Sequence, residues 1–182
     1  MKRILMAFML AAGFSAAAQA QNVWVSKNAE LSFFSKAPLE DIDAVSKSAA
    51  SAINMQTHAV YFKVAITSFT FKKKLMQEHF NENYMESDKY PDAEFNGKIT
   101  DNTDLTKDGV YTVTCAGKLT IHGVTKDYTT KGTVAVKGDK MVVNATFKVN
   151  LKDHNIEIPK MVVKNIAETV DVTVNAGYEP KK

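Results

Sequence analysis

A chain of 182 residues with 45% apolar and 24% charged side chains has the balance of an ordinary globular domain. Of its 23 basic residues, Lys2 and Arg3 belong to the leader described next; the other 21 exceed its 20 acidic ones by one, so a nucleic-acid role has no electrostatic footing. The single cysteine, Cys115, cannot staple the chain internally, and a domain of this size buries a core without such help.

Residues 1–20 read as a secretory signal: Lys2 and Arg3 form the basic start, Ile4 to Phe14 the apolar stretch, and Ala18-Gln19-Ala20 a small-x-small cleavage site. The apolar stretch is too short for a membrane span, and no later segment reaches the roughly twenty apolar residues a span needs. The expected product is an exported domain over residues 21–182, periplasmic or secreted, without a membrane span.

Alternation bounded by turn residues then predicts eight strands, near 29–37, 41–53, 59–71, 92–100, 109–122, 126–137, 140–151 and 169–178. The second is small and polar, with Ser46, Ser48 and Ser51, which predicts a barrel shallower or partly open at that strand. After the third, residues 72–83 place Leu75, Met76, His79 and Phe80 on one stripe, the pattern of a short amphipathic helix lying across one end of the sheet. Asp101, Asp104 and Asp108 lack the spacing of a calcium loop and read as a solvated turn.

The second half has the clearest period. Tyr111, Val113, Cys115, Gly117, Leu119 and Ile121 alternate with polar or small residues, as do Met141, Val143, Ala145, Phe147, Val149 and Leu151, and then Val170, Val172, Val174 and Ala176. Sustained period two means that one sheet face is sealed from water. Asp108-Gly109, His122-Gly123 and Gly138-Asp139 supply the tight turns between consecutive strands. Pro159 opens a second short turn with apolar Met161, Val162, Val163 and Ile166.

Long, one-sided antiparallel strands in sequence most simply close into an eight-stranded up-and-down barrel with one or two short helices, an all-β fold that abolishes exposed edges. A two-sheet sandwich shares the same alternation and is the competing architecture. Eight strands leave an interior that side chains fill or that holds one small ligand.

Chemistry is sparse. His58, His79, His122 and His154 are too scattered for a local zinc motif, there is no second cysteine, and neither a nucleophile elbow, a P-loop nor a dinucleotide fingerprint occurs, so neither metal nor cofactor is expected. Cys115, on an inward face, reads as a small core residue. The conspicuous feature is an apolar surplus in the first strands and the helix: Phe33, Phe34, Phe62, Phe69, Phe71, Leu75, Met76, Phe80 and Phe95. Such side chains concentrated near a barrel mouth serve a packed core or line a tunnel for an apolar ligand. With inward Val113, Phe147 and Val149, all of these except Phe34 form the candidate lining. Phe34 and an exposed strand edge are the candidate homodimer contacts.

The runs Met76-Gln77-Glu78-His79-Phe80, Ser87-Asp88-Lys89-Tyr90-Pro91 with Phe95, Gly117 to Lys126, Phe147-Lys148-Val149 and Ile156 to Pro159 together resemble the YceI-like family. The resemblance implies an exported lipocalin-like barrel whose interior is a long apolar tube for a prenyl or fatty chain, with the polar end of the ligand near the opening. His79, beside Phe80, is then the candidate for that polar end, whereas His122 shares the outer face with Lys118, where a turn-stabilising hydrogen bond is expected. The leading expectation is a carrier for a long-chain amphipathic molecule. The alternatives are a structural or stress-associated protein with a self-packed barrel, and an exported hydrolase, which needs a nucleophile and base that no local motif supplies.

Overall fold

The computed structural model describes residues 22–36, 41–158 and 166–181. Eight long strands close on themselves: β1 (Val23–Ser35), β2 (Ile42–Asn54), β3 (Ala59–Ala65), β5 (Asp92–Ile99), β6 (Gly109–Ile121), β7 (Val124–Lys137), β8 (Lys140–Asn150) and β9 (Thr169–Pro180). A two-residue strand, β4 (Thr70–Phe71), adds a short ladder on β2. Every pairing is antiparallel, the eight long strands pair in chain order, and β1 pairs with both β2 and β9, which completes the barrel and excludes the sandwich.

The alternating runs sit where the period placed them. Pairing of β6 with β7 is unbroken from Gly109↔Val136 to Ile121↔Val124, closed by a turn in which His122 and Gly123 both take positive φ. Three elements differ from expectation by more than two residues. β1 begins six residues earlier, at Val23 rather than residue 29, because Val23, Trp24 and Val25 ladder onto β2. The segment expected as one strand over 59–71 is interrupted by a 3-10 turn, Ile66–Ser68. The helix, α1 (Lys74–His79), is shorter than 72–83 and runs into a π-helical turn, Phe80–Tyr84, where the Met85 amide donates to the Phe80 carbonyl. The second short turn, expected at Pro159 with Met161, Val162 and Val163, lies outside the described residues; only Ile166 of it is seen.

β2 is neither short nor unpaired, yet its neighbour bends away. It ladders with β3 only over Ala50–Ile53 and with β4 only at Ala44 and Val45. Side chains bridge the interval: Ser68 Oγ donates to the Ala65 carbonyl at 2.6 Å, so its lone pair accepts from buried Ser46 Oγ at 2.7 Å. Small residues on β2, Ala44, Ser46 and Ala49, thus face the interior and leave room for aromatic rings from the opposite elements.

Candidate functional site

The inward side chains divide the barrel along its axis. At the end carrying the β2–β3 and β7–β8 turns, Ile53, Leu105, Val113, Val134, Met141, Ala176 and Tyr178 interlock in one buried cluster. Leu105 is 0%, Met141 1% and Tyr178 2% exposed. A polar bolt crosses this core: Ser51 Oγ donates to the Tyr61 carbonyl at 2.7 Å and accepts from the Tyr178 hydroxyl at 2.6 Å. Burial pushes the Tyr178 phenol up to about 12 and the nearby Cys115 thiol up to about 11, so both stay protonated. Cys115 is inert at neutral pH for that reason.

The other end holds a cavity of about 280 Å³. Its wall takes Leu31, Phe33 and Ser35 from β1, Val64 from β3, Ala93 from β5, Leu119 and Ile121 from β6, Phe147 and Val149 from β8, and Val170 and Val172 from β9. Phe69, Phe71, Met76, Phe80, Tyr84 and Met85 close it from the segment around α1. Phe33, Phe69, Phe71 and Phe80 form one aromatic cluster, with Phe33 stacked on Phe80 at 5.5 Å and Phe71 against Phe80 at 5.0 Å. Ring contacts of this kind add about 0.5–1.5 kcal/mol each beyond area burial, which holds α1 over the barrel end despite its lack of a side-chain N-cap. His79 reaches the wall from the exposed rim, and burial raises the Tyr84 phenol.

Of the sequence-derived lining, Phe33, Phe69, Phe71, Met76, Phe80, Phe147 and Val149 meet at this cavity, with His79 at its edge. Four others lie elsewhere. Leu75 points to solvent at 61% exposure, because α1 turns only its Met76 and Phe80 side inward. Val113 belongs to the packed end. Phe62 and Phe95, paired across β3 and β5, sit one inward position below the lining pair Val64 and Ala93. The Phe95 ring covers paired Gly97 and Gly117, where an added Cβ would come within 2.5 Å and 2.8 Å of it. The long continuous tube implied by the resemblance is therefore half a tube, the remainder being filled by the protein's own side chains.

Leu119, Ile121, Val170 and Val172 join the wall through the alternation that marked their strands as one-sided. Tyr84, Met85 and Ile156 were missed, since they lie on or beside irregular turns without a period to mark an inward face.

A polar clasp ties those turns together. The His122 ring faces Glu86 Oε2 at 2.8 Å and the His154 carbonyl at 3.2 Å, and Tyr90 packs edge-on against it at 4.5 Å. His122 thus makes turn-stabilising bonds on the outer side, away from the cavity wall. His154 is 0% exposed; its Nδ1–H donates to the Val124 carbonyl at 3.0 Å, which fixes the tautomer and leaves Nε2 to accept from the Tyr128 hydroxyl at 3.1 Å. Burial pulls His154 below its ordinary value, opposed in part by the bond to Val124.

The acidic loop before β6 spends its carboxylates locally. Asp101 accepts from the Thr114 amide, Asp104 from Thr106 and Lys107, and Asp108 from the Gly138 amide. Among the described residues no group of three or more His, Cys, Asp or Glu is placed to hold a metal. Among the same residues no helix is long and apolar enough to cross a membrane. Phe34, the candidate dimer contact, is exposed on the outer face of β1.

Residues 20–178 match the YceI-like domain family. The chain belongs to that family. Its barrel superposes on a polyisoprenoid binding domain from Saccharophagus degradans with a TM-score of 0.75, at 15% identity over 88% of this chain and 99% of that one. BcnA from Burkholderia cenocepacia gives a TM-score of 0.69 at 18% identity, covering 82% of this chain and 95% of that one. The Campylobacter jejuni YCEI protein gives 0.65 at 16% identity, covering 79% and 88%. At these identities the likeness is one of fold. No curated protein matches the chain.

Proposed function

We propose that this YceI-like protein is exported to the periplasm by cleavage of residues 1–20 and acts as a carrier for an amphipathic lipid, polyisoprenoid-like or fatty-acid-like. The apolar chain lies in the cavity and the polar end sits at the rim beside His79. The observation that carries this reading is the cavity itself: a wall built almost wholly of aromatic and aliphatic side chains, in a barrel whose other end is occupied by a buried cluster of its own side chains. A sequence that needed only a stable barrel would have filled both ends, because unfilled space forfeits dispersion contacts. The binding partner of the Saccharophagus domain named above points to the same ligand class.

Burial of a chain supplies about 0.8 kcal/mol per methylene, so affinity arises without charged contacts or catalytic groups. The carrier reading is tested by extracting the mature protein, purified from its native compartment, with organic solvent and identifying the extract by mass spectrometry. A bound prenyl or acyl lipid is expected. An extract free of lipid, together with no affinity for added prenyl or acyl chains, overturns the carrier in favour of a barrel that serves as a scaffold.

A further inference from the structure

We propose that the cavity lets go of its ligand in acid, with buried His154 as the sensor. The proposal rests on the carrier reading and adds to it a regulation of the same site.

Three observations carry it. First, one side of the cavity wall is a unit: Ile66, Met85 and Ile156 form a small buried cluster, and they and all the apolar side chains packed against them line the cavity. Second, the polar clasp joins the turns that bear this wall, at positions beside the wall residues themselves. His122 follows Ile121, Glu86 follows Met85, and His154 lies between Leu151 and Ile156, whose amide donates to the Leu151 carbonyl at 3.0 Å. The His122 ring, set between Glu86 and the His154 carbonyl, ties all three turns together.

Third, the surroundings of the His154 ring suit only its neutral form. Nδ1–H is spent on the Val124 carbonyl, and Nε2 needs its lone pair to accept from the Tyr128 hydroxyl. A second proton removes that acceptor and places a charge in a site closed to solvent. The charged and titratable groups around it do not offset this. Asp153 on the same turn favours the charge and Lys126 on β7 opposes it, while the Tyr128 phenol, raised by burial and then by Asp153, keeps its proton. Lys152 and Glu157 are exposed, and His122 with Glu86 reaches His154 only through its backbone carbonyl. In acid the proton therefore goes to the state in which this turn has come away from Val124 and Tyr128, and that state has lost its wall.

Equilibrium dialysis of the intact mature protein against labelled farnesol, an uncharged prenyl alcohol, reads the effect of pH on the protein alone. Affinity is expected to be level above pH 6.5 and to fall about tenfold by about pH 5, within the roughly tenfold per pH unit that one proton allows, while circular dichroism shows the strands intact. His154→Gln makes the profile level. Tyr128→Phe takes the donor from Nε2, which eases protonation; it moves the fall to higher pH and decides the matter if the glutamine variant does not fold. His79→Gln, at the cavity rim, keeps the fall.

A level profile in the unaltered protein overturns the proposal and leaves the carrier intact. So does a fall that persists in His154→Gln, stays at the same pH in Tyr128→Phe, disappears in His79→Gln, or only tracks a loss of strand signal. Absence of farnesol binding at every pH overturns the carrier and the acid release together.

Discussion

The two halves of the barrel are built on the same strands with the same alternation, yet one is solid and the other hollow. On β6, Val113 is locked into the packed end while Leu119 and Ile121, a few inward positions further on, face the cavity. On β8, Met141 and Phe147 divide in the same way, and on β9 so do Tyr178 and Val172. Period two says which side chains point inward. Whether they touch one another depends on what arrives from the ends: at one end Leu105 from the β5–β6 loop is buried in the cluster, whereas at the other α1 lies over the opening, held by four phenylalanines, with a cavity beneath it.

The contrast predicts unequal costs of truncation. Leu105→Ala, at 0% exposure, is expected to lose about 2–5 kcal/mol in a urea melt, the range for emptying a well-packed site. A cost below about 1 kcal/mol would mean that the solid end is less tightly packed than its burial indicates.

Gly117→Ala tests the boundary between the halves. A Cβ there would lie 2.4 Å from both the Asn96 carbonyl oxygen and the Gly97 Cα, backbone atoms that cannot step aside, as well as pressing on the Phe95 ring. The expected loss is about 1–3 kcal/mol from overpacking, read from the same melts. Ser51→Ala removes the acceptor of the Tyr178 hydroxyl and is expected to cost about 1–3 kcal/mol, with Tyr178→Phe in the same background restoring part of it. If the double variant is no more stable than Ser51→Ala, the bolt is not what holds that end together.

Acid separates the polar clasp from both apolar halves. His154 is held neutral in the folded protein, below its ordinary value of 6.5, so the unfolded chain binds the proton more readily. Its contribution is complete above pH 6.5 and is lost as the pH falls below that value, so melting temperature should drop between pH 7.5 and pH 5. His154→Gln should flatten the part of that drop due to the imidazole. Last and smallest, Leu75→Ala on the outer face of α1 is expected to change stability by less than about 0.5 kcal/mol and to leave lipid affinity unchanged. A marked loss of affinity there would return Leu75 to the binding surface.

Much of this was legible in advance. The alternating residues of β6, β8 and β9 marked a one-sided sheet, and the turns at Asp108-Gly109, His122-Gly123 and Gly138-Asp139 set its order. The Phe-rich region around α1 was rightly placed at one end of the barrel, because its aromatic surplus exceeds what a surface helix needs. Less legible was the interruption at Ile66–Ser68: Ile66 and Phe69 fit a strand as well as they fit the turn that now separates them. Nor did any period identify Tyr84, Met85 or Ile156 as neighbours of the cavity, since irregular backbone has no fixed inward face.

By itself, then, the sequence determined a closed antiparallel sheet with an apolar inner face, because alternation and turn chemistry are local and leave few ways to hide that face. The depth of the cavity was decided only in three dimensions. Phe62 and Phe33 are alike as residues, yet only Phe33 lines the cavity, through the height at which strand pairing set each of them.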